Sequence, residues 1–290
     1  MDFTNTSPYG PESRTFAAES VTGLSAAPTV TPDSSRTPLT CPPRPYDSVK
    51  RFLDLFAASL LLVPALPVIV LGWALVRCTS AGPGIYTQIR VGLGGRQFRI
   101  YKLRSMTHNC EATTGGAKWS TAGDSRVTPV GRVFRKLHID ELPQLFNVLL
   151  GDMSLVGPRP ERPEFVKPLS VSIPEYPLRL AVRPGVTGLA QIQLPPDTDL
   201  KSVRRKVTVD RSYIENRGLW LDVRLVLGTA LYLIGFSYAL VRRILALPNP
   251  LALSGGSIVA TNHSSYTVPL ESTSALDKLH PSLAGSTMQS

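Results

Sequence analysis

Two adjacent carboxylates, Asp140 and Glu141, are the residues best suited to chemistry in this sequence. They follow a basic stretch predicted as a helix over 126–138 and precede Pro143, which fits the first turn of a helix predicted over 142–150. Acidic residues are favoured at helix starts, so capping is one interpretation of the pair. The other is functional, because a carboxylate nucleophile with a neighbouring carboxylate for Mg²⁺ is suited to phosphoryl transfer.

Six basic residues favour the functional interpretation, because they lie near predicted turns or helix ends rather than along one solvated helix face. They are Lys102, Arg104, Arg132, Arg135, Arg159 and Arg183. Cations placed in this way can neutralise the oxygens of a phosphoryl group as it is transferred. Together with the two carboxylates they indicate a site that acts on a phosphate, although helix capping remains the alternative interpretation of the acidic pair.

A second acidic pattern, Asp197-Thr198-Asp199, allows a different function. An Asp-x-Asp pair can hold a metal ion and a sugar-nucleotide diphosphate, which makes a nucleotide-sugar glycosyltransferase the alternative enzyme. Here the pattern follows two prolines and opens a helix predicted over 199–217. Aspartate is a favoured N-cap, so capping is the simpler interpretation of these residues.

The charge distribution divides the 290-residue chain, whose formal net charge is +10, into three parts. Residues 1–45 contain eight prolines and are rich in Ser and Thr, and residues 249–290 are also rich in Ser and Thr. Both are expected to be disordered tails. The block 46–248 carries a charge of +12 and is expected to fold as one membrane-associated domain. Its charge indicates an anionic partner such as phospholipid, a phosphorylated substrate or nucleic acid.

Nucleic acid is the least expected of these partners, because the basic residues occur singly at turns instead of in a patch with interleaved aromatic residues. A non-catalytic, membrane-anchored protein that binds anions is a further alternative. It predicts binding that weakens steeply with salt and does not depend on Asp140 or Glu141.

The longest apolar run covers 55–76 and holds 22 residues without a charge, enough to span a bilayer. Basic residues flank it on both sides, and Pro64 and Pro67 lie at its centre. Positive flanks tend to stay cytoplasmic and prolines bend helices, so a re-entrant hairpin is one prediction. A kinked spanning helix is the second, and a buried helix of a soluble protein is a more distant third.

Two further patterns complete the prediction of the fold. The segments 85–91 and 97–103 alternate apolar and polar residues around a glycine-rich turn, which predicts a β-hairpin. A second uncharged run at 225–241, 17 residues long and flanked by arginines, is short for a span. It predicts a helix in the membrane interface, with a second spanning helix as the alternative.

From 46 to 241 the sequence resembles the bacterial sugar transferases, the monotopic polyprenyl-phosphate phosphoglycosyl transferases. The resemblance rests on short motifs that occur in the family's order. They include FRIYKLRSM at 98–106, DELPQ at 140–144, GDMSLVGPRP at 151–160, RPGVTG at 183–188 and the pair Asp210 and Tyr213.

The resemblance implies a helix-rich α/β fold. An N-terminal re-entrant membrane helix hairpin, broken at Pro67 beside Pro64, would carry a small β-hairpin and interfacial amphipathic helices. These elements would form a compact cytoplasmic cap on phospholipid at the bacterial inner membrane, with the active site facing the cytoplasm.

The resemblance also implies the reaction. A sugar-1-phosphate would pass from a UDP-sugar to a polyprenyl phosphate such as undecaprenyl phosphate, through a phospho-aspartyl intermediate and with release of UMP. Mg²⁺ is the implied cofactor, and the reaction would initiate synthesis of an exopolysaccharide or glycoconjugate.

The family's motifs assign a role to each site residue by position. Asp140 would be the nucleophile and Glu141 its metal-binding partner, with both carboxylates near Mg²⁺. The basic residues that would bind the substrate phosphates are Lys102, Arg135 and Arg159, with Arg104 and Arg183 as further substrate-binding positions.

Overall fold

The structure, a computed structural model, describes residues 44–113, 123–197 and 199–249. Almost all of the two predicted tails, 1–45 and 249–290, therefore lies outside the described residues. The described part is rich in α-helix, with two small sheets and one long apolar N-terminal helix. In this coarse form the predicted fold class is confirmed.

Helix α1, Pro45–Thr79, is 35 residues long and runs without interruption through Pro64 and Pro67. It is the one helix in the described residues that is long and apolar enough to cross a membrane, by length and composition. The break predicted at Pro67 is not visible as an interruption, since the helix is continuous from Pro45 to Thr79. The re-entrant course of the chain stays a prediction.

One narrow stripe of α1 packs against the rest of the protein, while most of its apolar surface is exposed. The exposed side chains include Phe52 at 69% and Val63 at 72%. Near the helix start, the backbone N–H of Leu155 donates to Asp54 over 3.2 Å. Near its end, a Cβ on Gly72 would lie 2.7 Å from the Cδ1 methyl of Leu103, so any larger residue requires that side chain to move.

The predicted β-hairpin is confirmed with its predicted boundaries. Strand β1, Ile85–Val91, pairs antiparallel with β2, Gln97–Leu103. The turn between them contains Gly94 and Gly95, both with positive φ, which glycine adopts at no steric cost. Residues that alternate along β2, such as Ile100, are buried and fix the hairpin against the core.

Helices α2, Cys110–Thr113, α3, Pro129–Leu137, and α4, Gln144–Leu150, follow the hairpin. Helices α3 and α4 lie within the segments predicted as helical, but both begin two or three residues later. A Cβ on Gly131 would lie 2.0 Å from the Ser105 carbonyl oxygen, so α3 packs directly on the backbone that leaves β2.

A second, parallel sheet was not predicted. It consists of β3, Ser154–Val156, and β4, Gly185–Thr187, joined by a connection that contains α5, Pro163–Ser172, and a 3₁₀ turn, Tyr176–Ala181. Strands of three residues are too short to show alternation, and they lie between Gly and Pro residues that indicate loops.

The remaining helices are α6, Leu189–Gln193, α7, Leu200–Asn216, α8, Leu219–Leu233, and α9, Tyr238–Ile244. The single helix predicted over 225–241 is wrong in its extent, because the run is divided between α8 and α9. Gly235, with a φ of 100°, ends the first helix, and Ser237 caps the second by accepting a hydrogen bond from the Leu240 backbone N–H.

Candidate active site

The two carboxylates lie on a short 3₁₀ turn, Ile139–Glu141, between α3 and α4. Helix α3 begins where the hydroxyl of Thr128 accepts a hydrogen bond from the Gly131 N–H. It ends at His138, whose φ of 54° turns the chain out of the helix and directly into the acidic pair. Asp140 therefore comes from a tight turn ahead of α4, and it is only 6% exposed.

Glu141 is bound by two cations that come from distant parts of the chain. Lys102, on β2, donates from Nζ to Oε1 over 2.7 Å. Arg159, which follows β3, donates from Nη2 to Oε1 over 2.6 Å and from Nη1 to Oε2 over 3.3 Å. The β-hairpin and the Gly157-Pro158-Arg159-Pro160 loop thus converge on the turn that carries the acids.

The carboxylate of Asp140 differs from that of Glu141 in its contacts. Within the part of the chain that the structure describes, no donor hydrogen-bonds to its carboxylate and no ion pair reaches it. A buried carboxyl group without a partner is energetically unfavourable in its charged form, and such groups are concentrated at functional sites.

The electrostatics separate the two carboxylates further. Burial and the charge of Glu141 raise the pKa of Asp140 above that of an ordinary aspartate, although Lys102, Arg135 and Arg159 act in the opposite direction. Burial would raise the pKa of Glu141 too, but Arg159 and Lys102 hold it well below its usual range. Glu141 is thus held as an anion, whereas the charged form of Asp140 is disfavoured.

The other predicted basic residues are placed differently. Arg135, on α3, donates from Nε to the Ser105 hydroxyl over 3.1 Å and is near enough to act on the charge of Asp140. Arg104 is 3% exposed and donates to the Ser80 and Ala81 carbonyl oxygens at the end of α1.

Arg183 donates from Nε to the Gly151 carbonyl oxygen over 3.2 Å, at the end of α4. The structure therefore brings together Lys102, Arg159 and the acidic pair, with Arg135 nearby. It places Arg104 and Arg183 on loop carbonyls instead.

Two polar residues near Arg159 were missed by the sequence analysis. The Gln191 amide oxygen accepts a hydrogen bond from Arg159 Nη1 over 3.2 Å. Arg179 donates from Nη2 to the Arg159 carbonyl oxygen over 3.1 Å. Neither belongs to a recognisable local pattern, and only Asp210, which pairs with Arg179, lies in one of the quoted motifs.

The Asp-x-Asp pattern has structural roles in the fold. Asp199 is the N-cap of α7 and accepts a hydrogen bond from the Ser202 N–H over 2.7 Å. Asp197 forms an ion pair of 2.9 Å with Lys206 on the same helix. Both contacts support the capping interpretation over a diphosphate site.

The acidic pair fits Mg²⁺ by the chemistry of its donors. Among the described residues no group of three or more His, Cys, Asp or Glu side chains could enclose a metal ion. Mg²⁺ does not require such a cage, because it commonly binds one or two carboxylates together with water and substrate phosphates. Asp140 and Glu141 provide that minimal set.

A family model described as bacterial sugar transferase matches residues 45–235, which include every residue of this site. The chain belongs to the bacterial sugar transferase family. This confirms the family predicted from the motifs, and the matched region contains α1, both sheets and the acidic turn.

Two named relatives support the assignment to this family. The chain is 47% identical over 184 residues to the UDP-N-acetylgalactosamine-undecaprenyl-phosphate N-acetylgalactosaminephosphotransferase of Aeromonas hydrophila, covering 63% of this chain and 43% of the relative. It is 44% identical over 185 residues to the UDP-glucose:undecaprenyl-phosphate glucose-1-phosphate transferase of Caulobacter vibrioides, covering 63% and 68%. The chain thus spans less than half the length of the first relative and about two thirds of the second.

Proposed function

We propose that this sugar transferase moves a sugar-1-phosphate from a UDP-sugar to undecaprenyl phosphate and releases UMP, as the initiating step of exopolysaccharide or glycoconjugate synthesis. Relatives named for this reaction with N-acetylgalactosamine and with glucose support the substrate classes. The structural observation that carries the proposal is the unequal pair of carboxylates, with Glu141 held by two cations and Asp140 buried without a partner.

In the proposed first step, a carboxylate oxygen of Asp140 attacks the phosphorus that bears the sugar. The bond from this phosphorus to the UMP oxygen breaks, and UMP leaves with the electron pair. The product on the protein is a phospho-aspartyl sugar. Because the charged form of Asp140 is disfavoured by burial, its ionised carboxylate is a stronger nucleophile than a solvated one.

In the second step, a phosphate oxygen of undecaprenyl phosphate attacks the same phosphorus. The bond to Asp140 breaks, the carboxylate is restored, and the product is a polyprenyl-diphospho-sugar. Two successive displacements at one residue predict ping-pong kinetics. Neither step requires a proton from the protein.

The cations have separate tasks in this proposal. The Lys102 side chain is 16% exposed and its ammonium orients Glu141, whereas the Arg159 side chain is 42% exposed and can also face the substrate phosphates. Arg135 adds positive charge near Asp140. Arg104 and Arg183, bound to loop carbonyls, support the surrounding backbone.

Glu141 and Asp140 would together hold Mg²⁺ with the donor diphosphate. When bound there, the ion supplies positive charge for the phosphate oxygens. The residues of the chain keep the two carboxylates adjacent and hold Glu141 ionised, which is the state that metal binding requires.

The membrane arrangement is part of the proposal. Exposed apolar side chains cover most of α1, and α8 and α9 also expose large apolar residues, including Trp220 at 70% and Ile244 at 59%. We propose that α1 is a re-entrant hairpin in the cytoplasmic leaflet of the inner membrane and that α8 and α9 lie on phospholipid. This places the site at the depth of the lipid phosphate.

The test is a panel of UDP-sugars with undecaprenyl phosphate and Mg²⁺, in which the released nucleotide is identified. We expect UMP and a lipid-linked diphospho-sugar from the wild type, and neither from Asp140→Asn. The matched control is Asp199→Asn, which removes an acid of the alternative pattern and should keep activity. Release of UDP, or full turnover by Asp140→Asn, would refute the proposal.

A further inference from the structure

Arg179, in the Tyr176–Ala181 turn, makes three directed contacts with its guanidinium. It donates from Nε to Asp210 Oδ2 over 2.7 Å, from Nη1 to the Tyr176 hydroxyl over 2.9 Å and from Nη2 to the Arg159 carbonyl oxygen over 3.1 Å. The guanidinium carbon also lies 5.1 Å from the centroid of the Tyr176 ring. A planar fork fixed at three points has little freedom to move.

The partner of Arg179 is itself buried. Asp210 belongs to α7 and is 1% exposed, so its carboxylate is shielded from solvent and satisfied by the arginine. Removing one member of such a buried pair leaves an uncompensated charge at a large energetic cost, so the fold keeps Arg179 and Asp210 together as a unit. None of the contacts of this unit reaches Asp140 or Glu141 directly.

Arg159 is held at both of its ends by these neighbours. At its guanidinium, Gln191 accepts from Nη1 and in turn donates from its amide to the Gly157 and Gly185 carbonyl oxygens over 3.3 and 3.2 Å. At its main chain, Arg179 binds the carbonyl oxygen. The Arg159 side chain is 42% exposed, so without these contacts it would lose rotamer entropy whenever it formed the ion pair with Glu141.

We infer that Arg179, charge-balanced by Asp210, is a positioning residue that fixes the Arg159 backbone so that the Arg159 guanidinium meets Glu141 and the donor diphosphate. The contact of Arg159 with a diphosphate rests on the proposed function. The contact of Arg159 with Glu141 does not, because it is present in the structure. Arg179 acts through Arg159 and touches no reacting atom.

The inference is tested by a double-mutant cycle with Arg179→Lys and Arg159→Lys, measured as UMP release by the full chain in detergent or lipid. A lysine ammonium cannot bridge the three acceptors of Arg179. We expect Arg179→Lys to lower kcat about 10–100-fold, as loss of a supporting contact does elsewhere. In the Arg159→Lys background the same change should cost less than about threefold, because coupled residues are not additive. If the fold-losses of kcat caused by Arg179→Lys and Arg159→Lys multiply in the double variant, the two residues act independently and the inference is wrong.

Two controls separate positioning from general stability. Arg217→Lys is matched, because Arg217 is also buried, pairs with a carboxylate, Asp47, and donates to a carbonyl oxygen, that of Ile214. It should lower the unfolding temperature without a specific loss of kcat. Tyr176→Phe removes one contact of Arg179 with little change in volume, and its smaller loss of kcat should also disappear in the Arg159→Lys background.

A measurement independent of activity completes the test. The guanidinium N–H signals of Arg159, assigned by their loss in Arg159→Lys, should exchange faster with water in Arg179→Lys than in the wild type or Arg217→Lys. Unchanged exchange would refute the positioning role even in a protein that releases no UMP. If the wild type releases no UMP but the exchange is still faster in Arg179→Lys than in the wild type, the proposed function alone is refuted.

Discussion

Lys102 Nζ and Glu141 Oε1 lie 2.7 Å apart, and this ion pair joins strand β2 to the turn that carries Asp140. The two side chains are 16% and 14% exposed, so solvent and salt screen the interaction weakly. Burial alone would raise the pKa of Glu141, but Arg159 and Lys102 keep it well below its usual range. The pair therefore holds one carboxylate ionised beside another whose ionisation is disfavoured.

Lys102→Met should move the acid limb of the pH–rate profile to higher pH. Removal of the ammonium raises the pKa of both carboxylates, because Lys102 lowers the pKa of Asp140 as well as that of Glu141, so the ionised forms are lost at a pH where the wild type is still active. We also expect kcat/KM to fall about 10²–10³-fold at its optimum, as for other lost electrostatic contacts. The measurement is UMP release between about pH 5 and 9.

The control for this change is Lys136→Met, which removes the same charge from an exposed position in the last turn of α3. It should leave the acid limb in place. An acid limb that does not move in Lys102→Met would show that the ionisation of Asp140 and Glu141 does not depend on this ammonium.

Asp140→Asn should abolish transfer and yet preserve or raise thermal stability at neutral pH. The pKa of Asp140 is raised in the folded protein, first by burial and then by Glu141, so the folded state binds this proton more tightly than the unfolded state does. Stability therefore falls as the pH rises from the ordinary aspartate pKa through the folded one. Asn removes this penalty, and each kcal/mol gained raises the unfolding temperature by about 2–4 °C.

The gain should shrink as the pH is lowered toward the ordinary pKa of aspartate, which thermal unfolding at several pH values can follow. Asp222→Asn is the contrasting variant, because it removes a buried carboxylate that pairs with Lys50 and accepts hydrogen bonds from Tyr46 and Tyr213, and leaves Lys50 only the longer contact of 3.7 Å with Asp54. That variant should be less stable than the wild type by several kcal/mol, about 3–5 for a broken buried pair. A lower unfolding temperature in Asp140→Asn at neutral pH would contradict the expectation.

Much of this site could be predicted from local sequence. The β-hairpin was recognised from alternation on both sides of a glycine-rich turn, and the structure has the same residues paired. The acidic pair was recognised from its position between a basic stretch and a proline. Both signals are contained within about 20 residues, which is the range over which periodicity and turn chemistry are informative.

The contacts between distant segments could not be predicted in this way. Strands β3 and β4 are three residues each, and their pairing joins segments that are 31 residues apart. Arg104 and Arg183 resemble the other bases in sequence, but packing turns them toward loop carbonyls. Arg179 and Gln191 acquire a role only because tertiary folding brings them to Arg159.

Gly131→Ala should destabilise the protein and reduce transfer together. The new Cβ would lie 2.0 Å from the Ser105 carbonyl oxygen, which is backbone and cannot rotate away. Helix α3 must then shift, and with it Arg135 and the turn that carries Asp140. Forced overpacking of this kind costs about 1–3 kcal/mol. Thermal unfolding and UMP release measure the two effects.

Gly218→Ala is the control, since a Cβ there would meet its nearest atom, the Asn216 carbonyl oxygen, at 4.0 Å. Its φ of −173° is extended backbone that alanine also adopts. The cost should be at most about 1 kcal/mol, that of an alanine at a helix N-cap. Equal effects of the two substitutions would show that the close approach of α3 to Ser105 is not tight in solution.

The re-entrant course proposed for α1 predicts that both of its ends face the cytoplasm. Cys78 is an exposed free thiol near the end of the helix, and Val49, 50% exposed, can carry a second thiol near its start. With Cys41 and Cys110 replaced by serine, a membrane-impermeant maleimide should label neither position in intact spheroplasts and both after permeabilisation. A thiol at Val63, 72% exposed within the apolar run, should stay unlabelled in both states because lipid covers it. Labelling of one end alone in intact spheroplasts would instead establish a spanning helix, since a continuous helix of 35 residues is about 52 Å long and can cross the bilayer.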